Sequence, residues 1–121
     1  KTGNLLMTSG HTSDIKGTLG KELTVEEGYA AARECAIKIL QSVHAVHGTL
    51  DGLRVIKLFG CVNSTQEFTD HHLVINGCSD LYHEIFGKED DGWHARSALG
   101  FSSLPTGVGV EIEAIFEIKD S

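Results

Sequence analysis

His94-Ala95-Arg96-Ser97-Ala98-Leu99-Gly100-Phe101-Ser102-Ser103-Leu104-Pro105-Thr106-Gly107-Val108-Gly109-Val110-Glu111-Ile112-Glu113-Ala114-Ile115 reads as two strands joined by a Pro/Gly connection. In the second strand Val108, Val110, Ile112, Ala114, Phe116 and Ile118 fall on one face and Glu111, Glu113 and Glu117 on the other, because strand side chains alternate with period two. Pro105 fixes φ and lacks a donor, and Gly107 permits positive φ, so the segment between the strands is a loop. The pattern predicts that the two strands are neighbours, with Arg96 close to Glu111.

Upstream, Asn4 to Ser9 reads as a strand ended by Ser9-Gly10, and residues 10–21, with Gly10, Gly17 and Gly20, as an irregular segment. Thr24-Val25-Glu26-Glu27 is a capping box. From it Tyr29, Ala32, Ala36, Ile39, Leu40, Val43 and Val46 recur at three- and four-residue steps, which predicts one long amphipathic helix ending at Gly48. Residues 53–63 form the strongest strand candidate. Ile56, Leu58, Gly60 and Val62 are expected on one face, and Val55, Phe59 and Cys61 with Lys57 on the other. Both faces are largely apolar, so the second face is expected to pack against partner subunits. Leu73, Val74, Ile75, Leu81, Tyr82, Ile85 and Phe86 read as a second helix, interrupted or bent at Gly77 and ending at Gly87. The order β, irregular, long α, β, α, β, β suits an α+β domain over residues 1–121, with two helices on one face of a mainly antiparallel sheet. The chain begins abruptly at Lys1, so further residues are expected ahead of it.

A formal net charge of -7, with no Lys/Arg cluster, gives no counterion-release drive toward nucleic acid. No apolar run approaches the roughly 20 residues that span a bilayer, so no membrane partner is expected. Cys35, Cys61 and Cys78 contain no Cys-x-x-Cys pair, which argues against a disulfide framework and for a reducing, cytoplasmic setting. Seven histidines invite a metal reading. His44 and His47 lie one helical turn apart and His71-His72 are adjacent, but a third ligand at zinc spacing is missing, so no metal is expected. Without a P-loop or a Gly-x-Gly-x-x-Gly, no nucleotide cofactor is implied.

Arg96 has two readings. Its guanidinium is a planar two-pronged donor that matches a carboxylate ligand; equally, it could form a structural ion pair with Glu111. Glu113, two residues on, reads as a solvated or rim carboxylate. His94 shares a face with Arg96 and is placed at the rim of the same site.

Arg96, Ser97, Leu104-Pro105 and Val110-Glu111-Ile112-Glu113-Ala114, together with Gly3-Asn4-Leu5-Leu6-Met7-Thr8-Ser9-Gly10-His11, resemble the RidA/YjgF family of imine deaminases, historically labelled endoribonuclease L-PSP. The resemblance covers nearly the whole chain. It implies a bacillary chorismate-mutase-like fold and a homotrimer whose sheets close around a central barrel, with sites at subunit interfaces. It also implies cofactor-free hydrolysis of reactive 2-imino or enamine acids to 2-keto acids and ammonia. Arg96 falls on the family's carboxylate-binding arginine and Glu111 on the glutamate that holds the hydrolytic water. Ser9, Gly10 and the Ala98 backbone fall on substrate contacts. Two departures stand out: a tyrosine upstream of the first strand has no counterpart, and Ala98 stands where deaminating members often carry cysteine. The family's second-helix asparagine is not assigned to Asn76. A non-catalytic trimeric binder of small carboxylates is the alternative, and ribonuclease activity a third reading that the acidic charge disfavours.

Overall fold

The computed structural model describes residues 1–119. The Glu27 backbone N–H donates to Thr24 Oγ1 at 3.2 Å, and the Glu27 carboxylate accepts from the Thr24 N–H at 3.0 Å, which completes the capping box. Helix α1 runs from there over Val25–His47 and stops where Gly48 takes a φ of 87°. Of its stripe, Ala32, Ala36, Ile39, Leu40 and Val43 are buried, while Val46 at the far end is exposed. Thr24→Ala removes both bonds of the Thr24 hydroxyl, from the Glu27 N–H and to the Glu27 carboxylate, and should lower unfolding stability by about 1 kcal/mol, read as a shift of the urea midpoint at constant slope. An unchanged midpoint would mean that the cap is redundant with tertiary packing.

Strands β1 (Leu5–Met7), β2 (His11–Thr12), β3 (Leu53–Asn63), β4 (Ala95–Phe101) and β5 (Val110–Ile118) form one mixed sheet. Its order is β1-β5-β3-β4, with β2 also paired to β5. Only the β3–β4 pair is parallel, as it must be when helix α2 (His71–Phe86) carries the chain across between them. The expected adjacency of β4 and β5 is therefore wrong, because β3 lies between them and pairs with both. Strand order is set by which long apolar strands bury each other. The nine-residue β5 pairs along most of the 11-residue β3, and the shorter β4, rich in small side chains, is left at the edge.

A register shift between Val55 and Lys57 also changes the predicted faces of β3. One extra residue at this bulge brings Val55 onto the same buried side as Leu58, Gly60 and Val62, while Ile56 is only half-buried. Both helices cover this side. The other side of the sheet presents Lys57, Phe59, Cys61, Leu99, Glu111, Glu113 and Ile115.

Helix α2 is continuous through Gly77, with no interruption there. Gly77 instead marks a point of close approach: a Cβ there would lie 2.1 Å from the Tyr29 carbonyl oxygen of α1. Gly60 does the same beneath α2, where a Cβ would meet Ile75 at 2.6 Å. Tyr82 closes the core from α2, its ring against Phe116 and its hydroxyl donating to the Ala36 carbonyl at 3.0 Å. No helix among the described residues is long and apolar enough to cross a membrane.

Candidate functional site

Arg96 projects from edge strand β4 toward α2. Its Nη1 donates to Ser79 Oγ at 3.0 Å and its Nη2 to the His72 carbonyl at 3.3 Å. Among the described residues no carboxylate lies within ion-pair distance of it. The guanidinium borders a cavity of about 220 Å³ with Asn76, Ser79, Asp80, His83, Trp93 and His94. Asn76, unassigned from sequence, thus reaches the Arg96 cavity, and His94 stands at its rim as expected. Asp80 is engaged by the Tyr29 hydroxyl at 2.7 Å. That bond to Asp80 is the main reason the Tyr29 phenol is raised above its ordinary 10.0.

Ala98 lies two residues along the same face of β4, its methyl packed against the core. The Ser64 N–H donates to the Phe101 carbonyl, which fixes the phase of the parallel ladder. In that phase the backbone groups of Ser97, Leu99 and Phe101 point at β3, and those of Arg96, Ala98 and Gly100 point away from the sheet. The Ala98 N–H is therefore presented at the free edge beside Arg96.

Glu111 sits elsewhere. It lies on the uncovered face of β5, opposite Cys61 of β3 and Thr12 of β2. Its carboxylate rests directly over Gly10, where an added Cβ would come within 1.9 Å of Oε2, so a larger residue at position 10 would displace the carboxylate from this place. Ser9 is exposed next to it, on the wall of a cavity of about 190 Å³ shared with Thr8, His11 and Ser42. Gly10 and Glu111 thus meet, although they are far apart in the chain, while the cavity that Ser9 lines is walled by Ser42, Val43 and Val46 of α1. Glu113 is exposed on the same face and lines a shallow recess with Lys57 and Phe59.

The expected closeness of Arg96 and Glu111 fails for three reasons. Strand β3 lies between them, Arg96 is level with Leu58 and Ala114, three residues along β5 from Glu111, and the two side chains leave opposite faces. Two strand spacings and three residues of offset are each about 10 Å. An Arg96–Glu111 ion pair within one chain is excluded, and so is a shared ligand within one chain. The predicted site residues lie in two separate places: Arg96 with Ala98 at the β4 edge, and Glu111 over Gly10, with Ser9 beside it in the chain, near β1 and β2.

Sequence reasoning missed Ser79, the buried hydroxyl that meets both Arg96 and His94. The available signal was Gly77-Cys78-Ser79, a run of small residues on the inward side of α2. It also missed a pair at the other end of the β4 edge, Ser64 Oγ with His71 Nε2 at 3.1 Å, bordering a cavity of about 430 Å³. Burial pushes the Cys35 thiol up to about 12 and Cys61 up to about 11, and also raises Cys78, so at neutral pH all three are protonated. Among the described residues no three His, Cys, Asp or Glu side chains gather as metal donors.

Residues 2–108 match the family described as "YjgF/chorismate mutase-like, putative endoribonuclease". Protein TCP17 of Trypanosoma cruzi is 47% identical over 107 residues, 88% of this chain and 66% of that protein, so the chain spans slightly less than two thirds of this relative. Among solved structures, Atu1372 of Agrobacterium tumefaciens, a protein of unknown function, superposes with a TM-score of 0.93 at 42% identity, over 98% of this chain and 79% of its own. A "putative endoribonuclease" from Shewanella oneidensis MR-1 superposes with a TM-score of 0.91 at 30% identity, over 97% of this chain and 81% of its own. Two helices on one face of a mixed sheet, a family match over nearly the whole chain and these relatives agree with the resemblance read from Arg96, Leu104-Pro105 and Val110 to Ala114: the chain belongs to the RidA/YjgF family.

Proposed function

We propose that this protein hydrolyses reactive 2-imino or enamine acids to 2-keto acids and ammonia without a cofactor, in clefts assembled between three copies of the chain. The observation that carries the reading is the Arg96 guanidinium, which faces a cavity with no carboxylate partner from its own chain among the described residues. A planar cation in this position is suited to the carboxylate that all such substrates share. The Ala98 N–H beside it is a second donor. Water attacks the imine carbon, the nitrogen takes up a proton, and the resulting carbinolamine collapses to the keto acid and ammonia. Glu111 of an adjacent copy orients that water and accepts its proton, with Ser9 and Gly10 beside it. The apolar part of the uncovered sheet face, with Phe59, Leu99 and Phe101, supplies the surface on which copies pack.

A second reading, a trimeric binder of small carboxylates without turnover, is favoured by Ala98, whose side chain is turned into the core and offers the ligand backbone only. The two readings separate when 2-imino acids are generated in situ by an amino-acid oxidase and trapped competitively with semicarbazide. Wild-type protein should speed keto-acid formation, and Glu111→Ala should slow it by about 10²-fold or more while pyruvate affinity changes by only a few-fold. Pyruvate binding without any acceleration by wild type would establish the binder instead.

A further inference from the structure

We propose that Ser79 is a proton-switched donor in the Arg96 cavity: when His94 takes up a proton, the Ser79 hydroxyl turns from the imidazole to a bound carboxylate. The proposal rests on Arg96 being a carboxylate anchor and adds a residue pair and a proton to that site.

The bonding around Ser79 leaves little freedom. His94 Nδ1 is 2.6 Å from the Gly92 carbonyl, which can only accept, so Nδ1 carries the hydrogen. In the neutral ring Nε2 is then an acceptor, and Ser79 Oγ, 2.8 Å away, donates to it. The same oxygen accepts from Arg96 Nη1 at 3.0 Å. The one proton of Ser79 is therefore committed to His94 while the imidazole is neutral. Protonation reverses the bond, because Nε2–H must now donate to Oγ. Both lone pairs of Ser79 are then occupied, by His94 and Arg96, and its O–H is released. Ser79 is only 4% exposed, and its side chain borders the cavity that Arg96 faces. A carboxylate held there by the guanidinium is the acceptor that this hydroxyl lacks.

The charges around His94 set the direction of the coupling. Facing it are Arg96 on β4, and His83 and Asp80 on α2, with the His83 ring centroid 5.3 Å from its own. Burial above all, then His83 and Arg96, hold His94 below its ordinary 6.5, while the Gly92 carbonyl acts in the opposite sense. An anion bound at Arg96 offsets these unfavourable terms, so binding and proton uptake favour each other. Affinity for a carboxylate should then rise as pH falls through the titration of His94, at most about tenfold per unit. In the empty protein a depressed imidazole has the opposite effect on stability, which is full above 6.5 and declines as acid forces the ring to charge.

The test is calorimetric titration of the full chain with pyruvate from pH 5 to 8, for wild type, His94→Gln, Ser79→Ala and Arg96→Ala. Wild type should bind more tightly toward pH 5 with uptake of protons. His94→Gln should bind with no pH dependence over that range, and Ser79→Ala should lose most of the low-pH gain. Nitrogen-15 NMR of wild type gives a readout that needs no substitution: His94 should be the Nδ1–H tautomer, titrating below 6.5 and moving upward when pyruvate is added. If binding requires Arg96 but His94→Gln keeps the wild-type pH profile, or if the tautomer is Nε2–H, the assignment to Ser79 and His94 is overturned and the anchor stands. If Arg96→Ala binds as well as wild type, or wild type binds no pyruvate at any pH, the anchor fails and this proposal with it.

Discussion

Replacing Gly77 by alanine should destabilise the fold by about 3 kcal/mol or more, the upper end of what overpacking a core costs. On propensity alone the change would help, since alanine is about 1 kcal/mol better than glycine inside a helix. The two expectations have opposite signs, and the geometry decides between them. A methyl at position 77 would sit 2.1 Å from the Tyr29 carbonyl oxygen and 3.2 Å from the Ala32 Cβ, so α2 must move away from α1. That movement is resisted on the other side of α2, where Ile75 lies over Gly60 of β3. A loss of this size is a large part of the 5–15 kcal/mol that holds a typical domain together. Urea unfolding followed by circular dichroism measures it. A midpoint equal to or above that of wild type would mean that the helices are less closely packed than described.

The second large effect falls on function. Arg96→Ala removes the group on which the proposed chemistry depends and should lower kcat/KM for imine hydrolysis by about 100-fold or more, equivalent to about 3 kcal/mol for a desolvated charge contact. Arg96→Lys keeps the charge but not the planar fork, and should recover only part of the loss. Because Arg96 is held by Ser79 and the His72 carbonyl rather than by an ion pair, neither substitution leaves a buried charge unpaired. Both variants should therefore fold, and pyruvate affinity should fall along with turnover. Glu111→Ala differs in leaving that affinity nearly intact. A wild-type rate in Arg96→Ala would remove the arginine from the mechanism altogether.

Local features were legible in the sequence and non-local ones were not. The Thr24 and Glu27 capping box, the Gly48 stop and the Pro105-Gly107 turn are each decided by a few adjacent residues, and all stand where their spacing put them. The alternation of β5 is likewise local, and it placed Glu111 and Glu113 on the uncovered face. Strand order is different in kind. The short Pro/Gly connection suggested that β4 and β5 pair, yet β5 pairs with β3, because two long apolar strands bury more surface against each other than either does against β4. A single bulged residue at Ile56 reversed the predicted side of Val55, an event with no marker in composition. Gly77 looked like a break because glycine weakens helices, while its role depends on a carbonyl 48 residues away in α1. The candidate site followed the same rule. Arg96, Glu111, Ser9, Gly10 and Ala98 were singled out through motif resemblance, but their placement in two separate groups needed the strand order.

Arg96 and Glu111 leave opposite faces of one sheet, so the proposed chemistry requires that two copies of the chain meet to bring them to the same substrate. The most direct measurement mixes inactive Arg96→Ala and Glu111→Ala proteins, dissociates them and lets them reassemble, then assays imine hydrolysis. In mixed trimers some clefts combine the intact Glu111 of one copy with the intact Arg96 of its neighbour. About a quarter of clefts qualify after random mixing of equal amounts in a cyclic trimer. Activity should recover toward that fraction. Mixed trimers that form and stay inactive, or a protein that remains monomeric and is active nonetheless, would contradict the need for two copies.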